Sequence, residues 1–328
     1  MDMVRIGVLG SARIAGSALI EPARHVPEVT VAAVAARDQA RAEAYALLHG
    51  IPVVYGSYDE LLADPSIDAI YNPLPNSLHA PWTLQAITAG KHVLCEKPFA
   101  SNATQAALVA EAAAAAGLVV MEAMHYRYHP LIRRLHEVVS TLGPVRHIQL
   151  WTSFVIADPA DIRFDYALGG GALMDGGCYA LDCIRLLAGE PAVTSALADT
   201  AAGSVVDLAM AARLTLPGGG TGWFESAFTP DGEFRANVHV TCADGNAWVS
   251  NFILAHEGRL VATRDGTVVV DDAGAGAAAT EDTSYVWQLR AFARAISTGT
   301  AVDTTAEHAV ATMRLIDDTY RAAGLPPR

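Results

Sequence analysis

Val4-Arg5-Ile6-Gly7-Val8-Leu9-Gly10-Ser11-Ala12-Arg13-Ile14-Ala15 decides the fold: a short apolar run stops at a glycine and passes at once into a helical pattern over 14–26. A strand, a tight turn and a helix in that order open a parallel α/β sheet. Gly10 fits the first position of G-x-G-x-x-G, while Ala12 and Ala15 stand at the second and third. Those glycines let the backbone approach a pyrophosphate at a helix start, so the segment is a degenerate phosphate-binding turn. Alanine suits the third position; the Ala12 methyl lies where the phosphates come closest. Gly10, Ser11, Ala12, Arg13 and Ile14 are the candidate cofactor contacts, against the alternative of a tight turn in a Rossmann-like fold that binds nothing.

The following sequence favours binding. Short β-rich runs (29–36, 69–71, 92–95, 118–122) alternate with helical patterns (39–49, 77–89, 104–116), as in a doubly wound sheet. From Arg146 onward strands dominate, at 148–156, 206–216, 222–228, 236–242 and 268–270, and two helices (285–297, 305–323) close the chain. The expected class is α/β: an N-terminal Rossmann domain over 1–123, then an α+β domain over 124–328 with an open, mostly antiparallel sheet. The Gly/Ala-rich stretch 273–279 reads as a loop without chemistry.

The length, 328 residues, suits two domains, and 52% hydrophobic with 17% charged residues describes a globular chain. A net charge of −13 with scattered Lys and Arg opposes nucleic-acid binding. No apolar stretch approaches the ~20 residues of a membrane helix, and the N-terminus lacks a signal-peptide pattern, so no membrane partner and a cytoplasmic location are expected. Cys95, Cys178, Cys183 and Cys242 form no CxxC pair and read as reduced thiols. His125 and His129 have ligand-like spacing but no third ligand in pattern, so no metal is expected.

At the end of the second strand, Ala36 stands where an acidic residue would hold a ribose 2′-hydroxyl, and Arg37 follows. A guanidinium there suits a 2′-phosphate or stacks on adenine, which favours NADP(H) and leaves NAD(H) open, because Asp38 is able to pair with Arg37 or to bind the ribose itself. Glu96-Lys97-Pro98 follows the apolar run His92-Val93-Leu94-Cys95, placing a long cationic side chain where open α/β sheets bind ligands. The plain alternative is a surface lysine stiffened by proline. In the glycine-rich segment 169–182, Asp175 and Tyr179 are four apart, which on a helix sets a carboxylate and a phenol on one face. With Lys97 they supply what alcohol–carbonyl interconversion needs, a group that moves the hydroxyl proton while nicotinamide exchanges hydride. Taken alone, the pair reads equally well as a core tyrosine and a capping carboxylate.

Gly10–Ala15, Asn72-Pro73-Leu74-Pro75-Asn76-Ser77-Leu78-His79, Gly90–Pro98, 169–182 and the closing Ala311-Thr312-Met313-Arg314 together resemble the glucose-fructose oxidoreductase/inositol dehydrogenase (Gfo/Idh/MocA) family. The resemblance implies that Lys97, Asp175 and Tyr179 are catalytic and also touch substrate. It implies that Pro73, Leu74, Asn76 and His79 lie along the ribose and nicotinamide, that Glu96 touches the nicotinamide-side ribose, and that the peptide before Pro98 is often cis. Tyr179 in place of histidine, and the run 121–130, are similar to the sugar and dihydrodiol dehydrogenase branch. By the same likeness Arg127 contacts cofactor or substrate, and Arg163, in Asp161-Ile162-Arg163, contacts substrate. The implied activity is hydride transfer to or from a secondary alcohol or ketone of a sugar, anhydro-sugar, nucleotide-sugar or cyclic diol, in a homodimer or homotetramer built on the C-terminal sheet. The competing reading is a noncatalytic NADP(H) sensor or partner-binding protein, which would have no use for Lys97, Asp175 and Tyr179 together.

Overall fold

The computed structural model describes residues 3–230, 232–273 and 282–328. The Gly/Ala-rich stretch lies, beyond residue 273, outside the described residues. The chain forms two compact units, Met1–His125 with Tyr285–Ala311, and Tyr126–Ser284 with Thr312–Arg328. The first unit therefore takes back a late stretch of chain that a linear division at 123/124 does not contain.

In the first unit β1 (Val4–Leu9) leads through a π-helical turn (Gly16–Ile20) into α1 (Glu21–Ala23). Then come β2 (Val29–Ala35), α2 (Gln39–His49), β3 (Val53–Tyr55), α3 (Tyr58–Ala63), β4 (Ala69–Asn72), α4 (Asn76–Thr88), β5 (His92–Cys95), α5 (Ala103–Ala116) and β6 (Val120–Glu122). The strands pair in parallel in the order β3-β2-β1-β4-β5-β6. β1, β4 and β5 are almost wholly buried, as strands covered on both faces should be. Caps fix the helices locally. Asp38, Ser57 and Asn102 accept the third amide of α2, α3 and α5, and Gly50 and Gly117 close α2 and α5 in the left-handed conformation. The order reverses between β1 and β4, and that switch point is where ligands of open α/β sheets bind.

The second unit contains α6 (Pro130–Thr141), β7 (Val145–Phe154), α7 (Cys178–Ala188), β8 (Ala192–Thr200), β9 (Asp207–Thr215), β10 (Thr221–Phe228), β11 (Arg235–Cys242), β12 (Gly245–Ser250), β13 (Arg259–Arg264) and β14 (Thr267–Ala273). Its eight strands run β14-β13-β12-β11-β7-β10-β9-β8. Every pairing is antiparallel except β7 with β10, which is parallel over the whole of β10. α8 (Ser284–Thr298) and α9 (Ala306–Ala322) complete the chain. The expected class, a parallel Rossmann sheet plus an open, mostly antiparallel sheet, is the one observed. The helix expected over 14–26 differs: most of it is the π turn and the three-residue α1.

Candidate active site

In the first unit the phosphate-binding turn sits at the carboxyl end of β1. Gly10 has φ +79°, a conformation that favours glycine, and a Cβ there would lie 3.0 Å from Leu74 Cδ2. Ala12 is not among the described residues with positive φ, so alanine fits this turn without backbone strain. Its carbonyl accepts the Tyr45 hydroxyl at 3.2 Å. Ser11 and Ala12 are half-buried and Arg13 and Ile14 exposed, so the turn stays open to a ligand where the helix begins.

Arg37 is exposed at the end of β2 and lies near the Tyr58 phenol, whose pKa burial raises and the charges of Arg37 and Arg41 lower. Gly10, Tyr58, Arg37 and Arg41 are thus neighbours. Asp38 caps α2, accepting the Arg41 amide at 3.1 Å, and this is the role the structure gives the acidic residue that left the cofactor open.

Pro73, Leu74, Asn76 and His79 form the β4–α4 turn. Asn72 holds it together: its Nδ2 donates to the His79 carbonyl (3.0 Å) and Thr83 Oγ1 (3.1 Å), and its Oδ1 accepts the Leu74 amide (3.4 Å). His79 is buried with one ring nitrogen 2.8 Å from the Pro98 carbonyl and the other 2.6 Å from that of Leu74. It binds the β4–α4 turn to the turn after β5. Burial lowers its pKa to about 4, against the two facing carbonyls, which favour the charged ring.

Lys97 follows β5, half-buried, and the Lys97–Pro98 peptide is cis. Glu96 is buried beside it; its carboxylate accepts the Tyr71 hydroxyl at 2.6 Å and the Lys97 amide at 3.3 Å. Glu122 accepts the Phe99 amide at 3.0 Å and steadies the far side of the same turn. Tyr285, from α8, stacks on His125 with ring centroids 3.9 Å apart, and burial followed by the charge of Glu96 pushes its pKa up.

In the second unit Asp175 lies inside a π-helical turn (Leu173–Gly177) that runs into α7, where Tyr179 is buried. The expected helix is present but starts with a widened turn, a feature common at functional sites. Glycine makes the approach possible: a Cβ on Gly176 would lie 2.6 Å from Ser226 Oγ and 2.9 Å from Phe154 Cε2. The Arg163 Nε donates to Asp175 Oδ2 at 2.7 Å, and its Nη1 to Asp161 at 3.1 Å. Asp175 is the main reason that the Arg163 pKa is raised. Tyr179 meets Tyr126 edge-on at 5.9 Å, and the Tyr126 hydroxyl donates to Asp182 at 2.5 Å. Arg127 is half-buried and bonded to the same carboxylate at 3.3 Å.

The first unit thus gathers Gly10–Ile14, Arg37, Pro73, Leu74, Asn76, His79, Glu96 and Lys97 at the carboxyl ends of β1, β2, β4 and β5. The second gathers Arg163 and Asp175 directly, with Tyr179 and Arg127 sharing the Tyr126–Asp182 support. Reading the sequence missed Tyr58, Arg41, Tyr71, Asn72, Tyr126 and Tyr285. Tyr71 and Asn72 carried a signal, polar groups ending an otherwise apolar strand. Among the described residues no cluster of three or more His, Cys, Asp or Glu fits a metal ion. His129 caps α6 by accepting the Leu131 amide at 3.2 Å.

Two family models match: "Oxidoreductase family, NAD-binding Rossmann fold" over residues 4–124 and "GFO/IDH/MocA C-terminal domain" over 132–247. The chain belongs to the GFO/IDH/MocA family. It is an oxidoreductase with an NAD-binding Rossmann domain, as the sequence motifs imply. It is 40% identical over 323 residues to D-xylose 1-dehydrogenase (NADP(+)) 2 of Haloferax volcanii, covering 97% of this chain and 96% of that one. It is 33% identical to a dTDP-3,4-didehydro-2,6-dideoxy-alpha-D-glucose 3-reductase of Streptomyces violaceoruber, over 84% and 87% of the two chains. A 3-ketoreductase from Actinomadura kijaniata, solved with NADP and TDP-benzene, superposes with a TM-score of 0.87 at 27% identity over 98% of each chain.

Proposed function

We propose that this protein is an NADP(H)-preferring dehydrogenase/reductase acting on a secondary alcohol or ketone of a sugar, anhydro-sugar, nucleotide-sugar or cyclic diol. The observation that carries the reading is Lys97 on a turn locked by His79 and Glu122, on the same sheet edge as the Gly10 turn. The fit to a dinucleotide rests on the Gly10 approach, the exposed helix start that follows it, and the guanidinium of Arg37 beside Tyr58. When bound, the nicotinamide supplies or accepts hydride.

The chain's own residues do the rest. Gly10, Ser11, Ala12, Arg13 and Ile14 hold the pyrophosphate, and Arg37 takes the 2′-phosphate. Pro73, Leu74, Asn76, His79 and Glu96 line the ribose and nicotinamide, with Arg127 as a further contact to cofactor. The Lys97 Nζ polarises the reacting oxygen, and the Tyr179 hydroxyl gives or takes its proton. Asp175, held by Arg163, orients the substrate hydroxyls, and Arg163 adds a donor toward them. The printed activities of the relatives, xylose dehydrogenation and keto-sugar reduction, support the polyhydroxylated class. The reading includes a cytoplasmic enzyme, in keeping with four buried thiols, assembled as a homodimer or homotetramer through the second unit's sheet.

The test is titration of NADPH and NADH by nicotinamide fluorescence, then a turnover screen of sugars, anhydro-sugars, cyclic polyols and dihydrodiols. Tight NADPH binding with turnover supports the enzyme. Failure to bind either cofactor, or tighter NADH than NADPH binding, refutes the respective part of the reading.

A further inference from the structure

The side chain of Arg328 is buried in an ion pair beneath the glycine loop of the second unit. Asp207, at the start of β9, is fully buried; its Oδ2 accepts the Leu173 amide at 2.6 Å, and its Oδ1 accepts Tyr320 Oη at 2.8 Å and Arg328 Nη2 at 2.6 Å. The Arg328 side chain is 1% exposed. Its Nε donates to the Gly170 carbonyl at 2.7 Å, and its guanidinium lies 4.2 Å over the Tyr320 ring and 5.0 Å over that of Tyr166.

The loop has no room to stand elsewhere. A Cβ on Gly171, whose φ is +135°, would fall 2.2 Å from Asp207 Oδ1 and 2.9 Å from Arg328 Nη2. The same loop grips the backbone of Arg163: the Gly171 amide donates to the Arg163 carbonyl at 3.0 Å, and a Cβ on Gly170 would lie 2.3 Å from that oxygen. The Asp175 amide in turn donates to the Gly171 carbonyl at 3.0 Å. Arg163 and Asp175 then meet through their side chains at 2.7 Å.

We propose that the Asp207–Arg328 pair, with Tyr320, is a positioning device: it fixes the Gly169–Leu173 loop and through it sets both partners of the Arg163–Asp175 ion pair. Neither Asp207 nor Arg328 needs to touch substrate for this. The pair works because one carboxylate collects a backbone amide of the loop while the guanidinium collects a backbone carbonyl, so the loop is held by donor and acceptor at once. The catalytic consequence rests on the functional reading above; the positioning itself does not.

The experiment compares the full chain with Arg328→Ala, Arg328→Lys and Tyr320→Phe by hydrogen exchange and by kinetics. With Arg328→Ala, peptides covering 163–177 exchange about tenfold faster or more, while peptides of β10 and β11 keep their wild-type rates. NADPH binding stays within about twofold, and kcat for the carbinol or ketone substrate falls about tenfold to a hundredfold, because a small misplacement of reacting groups is costly. Millimolar ethylguanidine restores part of the lost turnover in Arg328→Ala. Arg328→Lys keeps the charge but lacks the fork, and falls between the two. Should Arg328→Ala not fold, Tyr320→Phe, which removes one hydroxyl, carries the same comparison, with exchange in 163–177 about threefold faster. Unchanged exchange in 163–177, or acceleration spread evenly over the second unit's sheet, overturns the proposal. A wild-type protein with no turnover refutes the functional reading alone, since the exchange result still decides this one.

Discussion

Replacing Gly176 by alanine tests whether the close approach of the Asp175 turn to the sheet matters. The new methyl would meet Ser226 Oγ at 2.6 Å, Phe154 Cε2 at 2.9 Å and Thr152 Oγ1 at 3.0 Å, all inside ordinary contact distance. Two of these neighbours are held in place. Ser226 is buried and its hydroxyl donates to the Ala172 carbonyl at 2.7 Å, and Thr152 is buried in β7. Overpacking of this kind costs about 1–3 kcal/mol, and turning Ser226 away gives up a buried hydrogen bond of about 1 kcal/mol more. The sum, about 2–4 kcal/mol, is absorbed either by unfolding free energy or by displacement of Leu173–Gly177, which carries Asp175. Urea denaturation reads the first and kcat/KM the second. Ser226→Ala in the same chain removes the nearest atom and should recover about 1 kcal/mol or more of the loss as a coupling energy. Gly176→Ala with wild-type stability and wild-type kcat/KM, or a double variant whose losses simply add, would refute the reasoning.

Lys97→Met should lower turnover about a thousandfold or more while NADPH binding by fluorescence stays within a few-fold; substantial activity in that variant would remove the lysine from the mechanism. Arg37→Ala should weaken NADPH about tenfold, roughly 1.4 kcal/mol, and leave NADH nearly unchanged, and equal weakening of both cofactors in the same titration would refute a 2′-phosphate contact. Burial lowers the His129 pKa from 6.5 to about 4, and its role as acceptor of the Leu131 amide also needs the neutral ring. The folded pKa lies below the unfolded one, so this stabilisation is present above about pH 6.5 and is lost as pH falls through about 4, by up to roughly 3 kcal/mol. His129→Asn, which caps without titrating, should flatten the dependence of Tm on pH in that window, and an unaltered slope would count against it.

Much of the first unit was legible in the sequence because parallel strands are continuous apolar runs ended by chemistry-bearing turns. Gln39–His49 and His92–Cys95 have the same bounds in sequence and structure, each marked by its own cap or by Gly90. The Asp175–Tyr179 helix was visible as a pattern, but not its π turn, which depends on how closely Gly176 and Gly177 let it pack on β7 and β10. β8 was missed because an edge strand rich in alanine and threonine pairs on one side and shows weak alternation. The return of 285–311 to the first unit has no local signal, since it is set by contacts across the whole chain. The supporting residues were invisible for the same reason. Nothing near Asp182 in sequence says that Tyr126 will reach it, and nothing near Arg37 says that Tyr58 will lie beside it.

The parallel pairing of β7 with β10, in a sheet otherwise antiparallel, bears on the order in which the protein assembles. Parallel neighbours need a long crossover, and here that excursion contains Arg163, Asp175, Tyr179, β8 and β9 before the chain comes back as β10. The floor under Gly176, next to Asp175, is made from both parallel strands, Thr152 and Phe154 on one side and Ser226 on the other. During synthesis, Asp175 and Tyr179 leave the ribosome after β7 but before β10. Closure of so long a loop is entropically slow, so the Asp175 turn should gain its full support only after the crossover has been spanned.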